Sequence, residues 1–207
     1  SYMDNGTHGN GKSKAFGGTL FAERIKENGN YFDAAFQAGR LKNDYSAILS
    51  DFPTSYDESS NYYGLSLGYG RKAKSGNRDV VDMYGRLYYS HLCSNDTHID
   101  DSLGGTEARF DGVNSTRLRL GARNIHCINE HNSLYAGLAW QYEFSGKARA
   151  TIGENEAPAP SLKGHSGMAE LGYKIETDKN LSFDFNINGW FGKKKGVAGG
   201  VSLQYCF

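Results

Sequence analysis

DVVDMYGRLYYSHL, residues 79–92, changes character at every step. Val81, Met83, Leu87 and Tyr89 fall on one face, and Asp82, Tyr84, Arg86, Tyr88 and Ser90 on the other. A period of two is that of a β-strand with different surroundings on its two sides. Arg86 stands mid-strand on the polar face. If that face were the interior of a small soluble barrel, it would be filled with aliphatic side chains, and a charge left in so dry a core would cost several kcal/mol. The apolar face is therefore the outside and the polar face lines something wet.

The same parity recurs along the chain. In 61–70, Tyr63, Leu65, Leu67 and Tyr69 oppose Gly64, Ser66, Gly68 and Gly70. In 133–144, Leu134, Ala136, Leu138, Trp140, Tyr142 and Phe144 oppose Tyr135, Gly137, Ala139, Gln141 and Glu143. In 181–191, Leu181, Phe183, Phe185, Ile187 and Phe191 oppose Ser182, Asp184, Asn186 and Asn188. Segments 31–42, 115–127, 166–176 and 197–207 alternate likewise, and 15–26 does so least clearly. The polar faces add Arg117, Arg119, Arg123, Glu143 and Glu170 to Arg86. The fold expected is all-β: a transmembrane, antiparallel, up-and-down barrel with an inside-out pattern.

Composition agrees. Lys and Arg number 23 and Asp and Glu 23, so no net field recruits nucleic acid. The chain has 27 Gly, 14 Tyr and 11 Phe beside only 3 Pro, which suits many closely spaced strands with aromatic girdles. Mean hydropathy is −0.61. No apolar run approaches the roughly 18 residues of a spanning helix, a test that barrel strands escape because only every second residue faces lipid. The cysteines Cys93, Cys127 and Cys206 lack metal-ligand spacing, so no metal site is expected, and a Cys93–Cys127 disulfide stays open. The histidines His91, His98, His126, His131 and His165 read as solvated residues in or near loops and turns.

The joints alternate in length. Short ones at 26–30, 74–78, 129–132 and 177–180 take turns with long ones at 43–60, 93–114 and 145–165, the last of which contains the turn-breaking APAP of 157–160. Only the hairpin GKKKG, 192–196, is short where a long one is due. Outer-membrane barrels keep short turns on the periplasmic side and longer loops outside. On that basis the last strand runs down to the periplasm. The first, from about Ala15, starts outside, with residues 1–14 as a polar external lead-in and 15–207 as barrel. About nine antiparallel strands do not close a bacterial barrel, so an odd number of leading strands is expected before them.

AFGGTLFAERIKENGNYFDAAFQAGRLKNDY (15–45), with its G-x-Y-x-D strand, resembles the C-terminal translocator barrel of type V secretion autotransporters. So do the R-x-G-x-R strand in FDGVNSTRLRLGARN (110–124), the corner of LYAGLAWQYEFSGKARA (134–150), and the ending GVSLQYCF (200–207). The resemblance implies a barrel of typically twelve strands in a Gram-negative outer membrane, about nine of them visible here, with a helix or linker in its lumen and a secreted or surface-held passenger before it. It implies no enzymatic activity and no cofactor. Phe207, Tyr205, Leu203 and Val201 would be the signal read by the barrel assembly machinery, added as a strand to that machinery's sheet edge; they are also the lipid-facing residues of the closing strand. Some members cut their linker with acidic residues in the lumen. Glu143 and Glu170 are candidates by position only, and charges paired with Arg117, Arg119 or Arg123 along a wet pore are the favoured reading. Lys193, Lys194 and Lys195 would sit at the external tip, as a solvated turn or against lipopolysaccharide.

The function expected is an outer-membrane translocator and anchor that secretes or displays an N-terminal passenger. The alternatives are an independent outer-membrane barrel without passenger, such as a porin, adhesin or barrel hydrolase, and a soluble barrel of lipocalin type. The mid-strand arginines argue against the last.

Overall fold

The computed structural model describes residues 9–49, 52–99, 106–147, 149–152, 155–156, 161–177 and 180–205. Thirteen strands follow in chain order: β1 (Gly9–Ile25), β2 (Asn30–Leu49), β3 (Phe52–Lys74), β4 (Asp79–Leu92), β5 (Asn95–Ile99), β6 (Thr106–Phe110), β7 (Val113–Cys127), β8 (Asn132–Glu143), β9 (Ala150–Ile152), β10 (Asn155–Glu156), β11 (Gly164–Glu176), β12 (Leu181–Gly192) and β13 (Gly196–Tyr205). Nine of them form one antiparallel sheet in the order β1-β2-β3-β4-β7-β8-β11-β12-β13, curled into a half-barrel. Each of the nine segments read from alternation falls on a strand of this sheet, the last as far as Tyr205, beyond which Cys206 and Phe207 lie outside the described residues.

The long connections differ from expectation. β2 and β3 stay paired out to Leu49 and Phe52, so most of 43–60, read as a loop, is a hairpin. Beyond the bilayer both faces of a ladder meet water, so the pairing continues without the apolar alternation that betrays it elsewhere. The connections at 93–112 and 144–163 carry β5, β6, β9 and β10, which make a second sheet in the order β10-β9-β6-β5. APAP, 157–160, lies outside the described residues. β1 begins at Gly9, so residues 9–14 of the expected lead-in are strand.

The disulfide left open is excluded. Cys93 and Cys127 are both free. Leu92, next to Cys93, pairs with Val113 at the start of β7, while Cys127 ends that strand. At about 3.3 Å per residue the two are roughly 45 Å apart, whereas a disulfide needs Cα atoms within about 7 Å.

The two faces are inverted relative to a soluble protein. Asp33, Asp82, Gln141 and Glu143 are buried, while Leu20, Leu138 and Ile187 are exposed by 76%, 68% and 58%. A continuous apolar surface on this scale is not kept in water; it is the lipid-facing side of a membrane barrel. Aromatic side chains stand near both ends of that side, Phe32 and Tyr69 towards the short turns and, towards the long connections, Trp140, whose Nε1 donates to His165 Nδ1 at 3.2 Å, and Tyr142, which meets Phe144 edge-on. Such girdles mark the membrane–water interface.

The concave face is packed by tyrosines lying on glycines of the next strand. Tyr31 covers Gly70, Tyr84 covers Gly121 and Tyr135 covers Gly172. A side chain in place of any of these glycines would occupy the ring's space, so the ring lies flat and reaches across its neighbour strand. The Tyr31 hydroxyl donates to Asp82 and that of Tyr135 to Asp184, each at 2.9 Å and each two strands away. A Cβ at Gly121 would stand 2.6 Å from Tyr84 Cζ and 2.9 Å from Ala139 Cβ. Gly121→Val is therefore expected to cost about 1–3 kcal/mol by overpacking, read as a lower urea midpoint of the lipid-reconstituted protein. An unchanged midpoint would show that Tyr84 moves aside freely.

Candidate functional site

The charges of the concave face sit in a ladder whose register dictates their partners. Asp33 on β2 and Arg86 on β4 flank Gly68 of β3, and their side chains meet over it at 2.7 Å. Arg123 on β7 lies 3.3 Å from Asp82 and 3.6 Å from Glu170, with the Tyr84 and Tyr135 rings 5.2 and 5.5 Å from its guanidinium. Two residue pairs further along the β7–β8 ladder from Arg123 comes Gly121, which seats Tyr84, and two beyond it Arg119. Within the R-x-G-x-R stretch, then, two arginines point into the concave face from either side of a seat for a ring.

Arg117 lies 3.6 Å from Glu143. That carboxylate also accepts from the Ser115 hydroxyl at 2.7 Å and from the backbone N–H of Thr116 and Ser145 at 3.0 and 3.2 Å. A carboxylate so engaged ties the ends of β7 and β8 together. Glu170 packs against Gly137 and faces Arg123. Arg119 has a different environment: its Nε and Nη2 donate to Gln141 Oε1 at 3.2 and 3.0 Å, and it stacks 5.0 Å from the Tyr88 ring.

Lys194, in the turn after β12, bends inward over the concave face. Its backbone N–H donates to the Ser166 hydroxyl at 2.9 Å, and its ammonium lies 3.9 Å over the Trp190 ring. Gly192 and Gly196, at φ +103° and +144°, supply the backbone bends on either side of this turn. Burial, and after it the positive charges of Arg117 and Arg119, hold the Lys194 ammonium below the usual lysine range.

Reading the sequence singled out six of these charges and missed Asp33, Asp82, Asp184 and Lys194 as their companions. Asp82 and Asp184 were marked by parity alone, and Asp33 by the last position of G-x-Y-x-D. In that motif Gly29 makes the turn at φ +81°, Tyr31 lies on Gly70, and Asp33 meets Arg86. At the far edge of the sheet, Val201, Leu203 and Tyr205 of β13 are exposed on the apolar face. Phe207 lies outside the described residues.

An apolar convex sheet around a charged, hydrogen-bonded concave face defines a transmembrane β-barrel protein. The autotransporter beta-domain family model matches residues 1–188, and the chain belongs to that family. No curated protein matches the sequence. The fold is shared with solved translocators. The translocator domain of autotransporter NalP from Neisseria meningitidis superposes with a TM-score of 0.76 at 19% identity, covering 97% of this chain and 69% of that one. For the beta domain of the Bordetella autotransporter BrkA the TM-score is 0.68 at 19% identity, with 99% and 78% covered. For the transport unit of AIDA-I from Escherichia coli it is 0.53 at 10% identity, with 99% and 86% covered. Autotransporter beta-domains are outer-membrane barrels of Gram-negative bacteria, transport barrels that serve an attached passenger.

Proposed function

We propose that this chain forms the wall of the conduit and anchor through which an attached passenger reaches the cell surface. The observation that carries the reading is the concave face itself, polar and charged through the full depth of the sheet yet walled by an apolar exterior. A hydrated wall lets an unfolded backbone pass without losing its hydrogen bonds to water, which lipid would not allow. The short turns lie in the periplasm and the long connections outside, so β13 descends to the periplasmic rim, and lipopolysaccharide surrounds the aromatic girdle near Trp140. A tag in 145–165 should be cut by protease on whole cells, and a tag in 128–131 only after the outer membrane is opened; the reverse would invert the orientation.

Val201, Leu203, Tyr205 and Phe207 form the signal that the barrel assembly machinery reads, by strand addition with main-chain hydrogen bonds and alternate side chains. Phe207→Ala or deletion of Phe207 should lower the amount of folded, heat-modifiable barrel in the outer membrane, while Cys206→Ser, of opposite parity, should change little. Equal assembly of all three would remove the signal role and leave these residues as lipid contacts alone.

A further inference from the structure

The charges of the concave face are not evenly spread along the strands. Among the described residues, on the wall made by β4, β7, β8, β11 and β12, the half near the long connections holds Arg117, Arg119 and Lys194 against one carboxylate, Glu143. Glu143 is already held by three hydrogen-bond donors. Arg119 has, among the described residues, an amide oxygen and a ring for company, and Lys194 a ring. The half near the short turns has the opposite balance: Asp82 and Glu170 share Arg123, Asp184 accepts from the Tyr135 hydroxyl, and Lys174 is engaged by Glu176. Between the halves, Arg86 and Asp33 cancel.

The basic half is also contiguous. Arg119 binds Gln141; Gln141 pairs in register with Ser166; and the Ser166 hydroxyl accepts from the Lys194 backbone. Three cations are thus gathered on one patch with N–H groups to spare, since a guanidinium has five and an ammonium three. Among the described residues Arg117 Nε is buried without a hydrogen-bond partner, as are Arg86 and Arg123 Nε elsewhere on the face. Like charges brought together at partly buried positions oppose folding unless something offsets them. A tip lysine that turned to water would avoid that cost, and Lys194 instead lies inward.

We propose that this patch is a carboxylate-binding station at the external end of the conduit, and that the acidic-to-basic gradient below it favours outward passage of acidic passenger segments over basic ones. The inference rests on the conduit reading above. Rings and patches of one sign select ions of the other in pores, and a polypeptide side chain crossing the same wall meets the same field. Glutamates and aspartates are repelled at the periplasmic half and drawn to Arg119 and Lys194; lysines are held back below.

The test uses the full-length protein with its own passenger in the outer membrane. A run of glutamates or a run of lysines is placed in the passenger segment next to the barrel, and pulse–chase with external protease gives the half-time of surface exposure. With the parental barrel the glutamate form should emerge about two- to fivefold faster, the scale of roughly one screened charge contact. With Arg119→Glu and Lys194→Glu together the difference should vanish or reverse, while heat-modifiability reports an unchanged amount of folded barrel. If that pair lowers folding, Arg119→Gln with Lys194→Gln carries the test. Equal rates in the parental barrel, or a difference that survives in the folded variants, would overturn the station. If the unmodified passenger never reaches the surface, the conduit reading itself fails and the station with it.

Discussion

Replacing Asp33 by Ala is expected to destabilise the folded barrel by about 3–5 kcal/mol, the cost of leaving a buried charge without its partner. The Asp33 side chain is 2% exposed and accepts from Arg86 Nη2 at 2.7 Å across the Gly68 seat. Its removal strands the guanidinium and opens a gap over the glycine. Arg86 keeps 26% of its side chain exposed, so water reaches it in part and places the loss towards the lower end of that range. The double variant Asp33→Ala with Arg86→Met removes both charges and should recover most of the loss, because a buried pair is worth little relative to an apolar pair of similar volume. Guanidinium unfolding in lipid vesicles would measure the whole cycle. A single-variant cost under about 1 kcal/mol would mean that the pair behaves like an exposed one and that the concave face is wetter than its burial implies.

The same pair shows what the sequence could and could not convey. Parity is local: Arg86 belongs to the polar face because Met83, Leu87 and Tyr89 belong to the other, and 14 residues suffice to see it. Partnership is not local. Tyr31 meets Asp82 across 51 residues of chain, and the meeting depends on the registers of two successive ladders and on the glycine that lets a ring lie flat between them. Arg119 illustrates the consequence. Reading charges alone offered it a glutamate, but the β7–β8 register sets Glu143 opposite Arg117 and Gln141 opposite Arg119. Lys194 was read as part of a tip for a similar reason: three successive lysines look equivalent until the turn directs one of them onto Trp190. The hairpin beyond Lys42 escaped because its pairing needs no apolar face. The physical lesson is that a two-solvent environment writes itself into composition at every second residue, whereas a contact two strands away leaves only a scattered Gly, Tyr or Asp.

That two-solvent argument has its sharpest consequence at adjacent positions of β3. Leu67→Arg should cost about 2–4 kcal/mol, since it places a cation on the lipid-facing side near the middle of the span. Ser66→Arg, one residue earlier, should cost less, because its side chain enters the polar concave face. Leu67 is exposed on the convex face and pairs in register with Leu87, itself exposed there, whereas Ser66 pairs with Ala35 and Tyr88 on the concave side. The Tyr88 ring already receives Arg117 and Arg119, so a third cation at Ser66 adds some like-charge repulsion, though in a wet lumen it keeps its hydration. Bulk alone would make the two substitutions equally harmful, as both enlarge a strand side chain to the same arginine; only the solvent on each side separates them. Unfolding of both variants in lipid vesicles gives the comparison directly. If Ser66→Arg proved the more costly, the faces would be inverted and the charged side of the sheet would have to be dry, which would remove the conduit along with the membrane barrel.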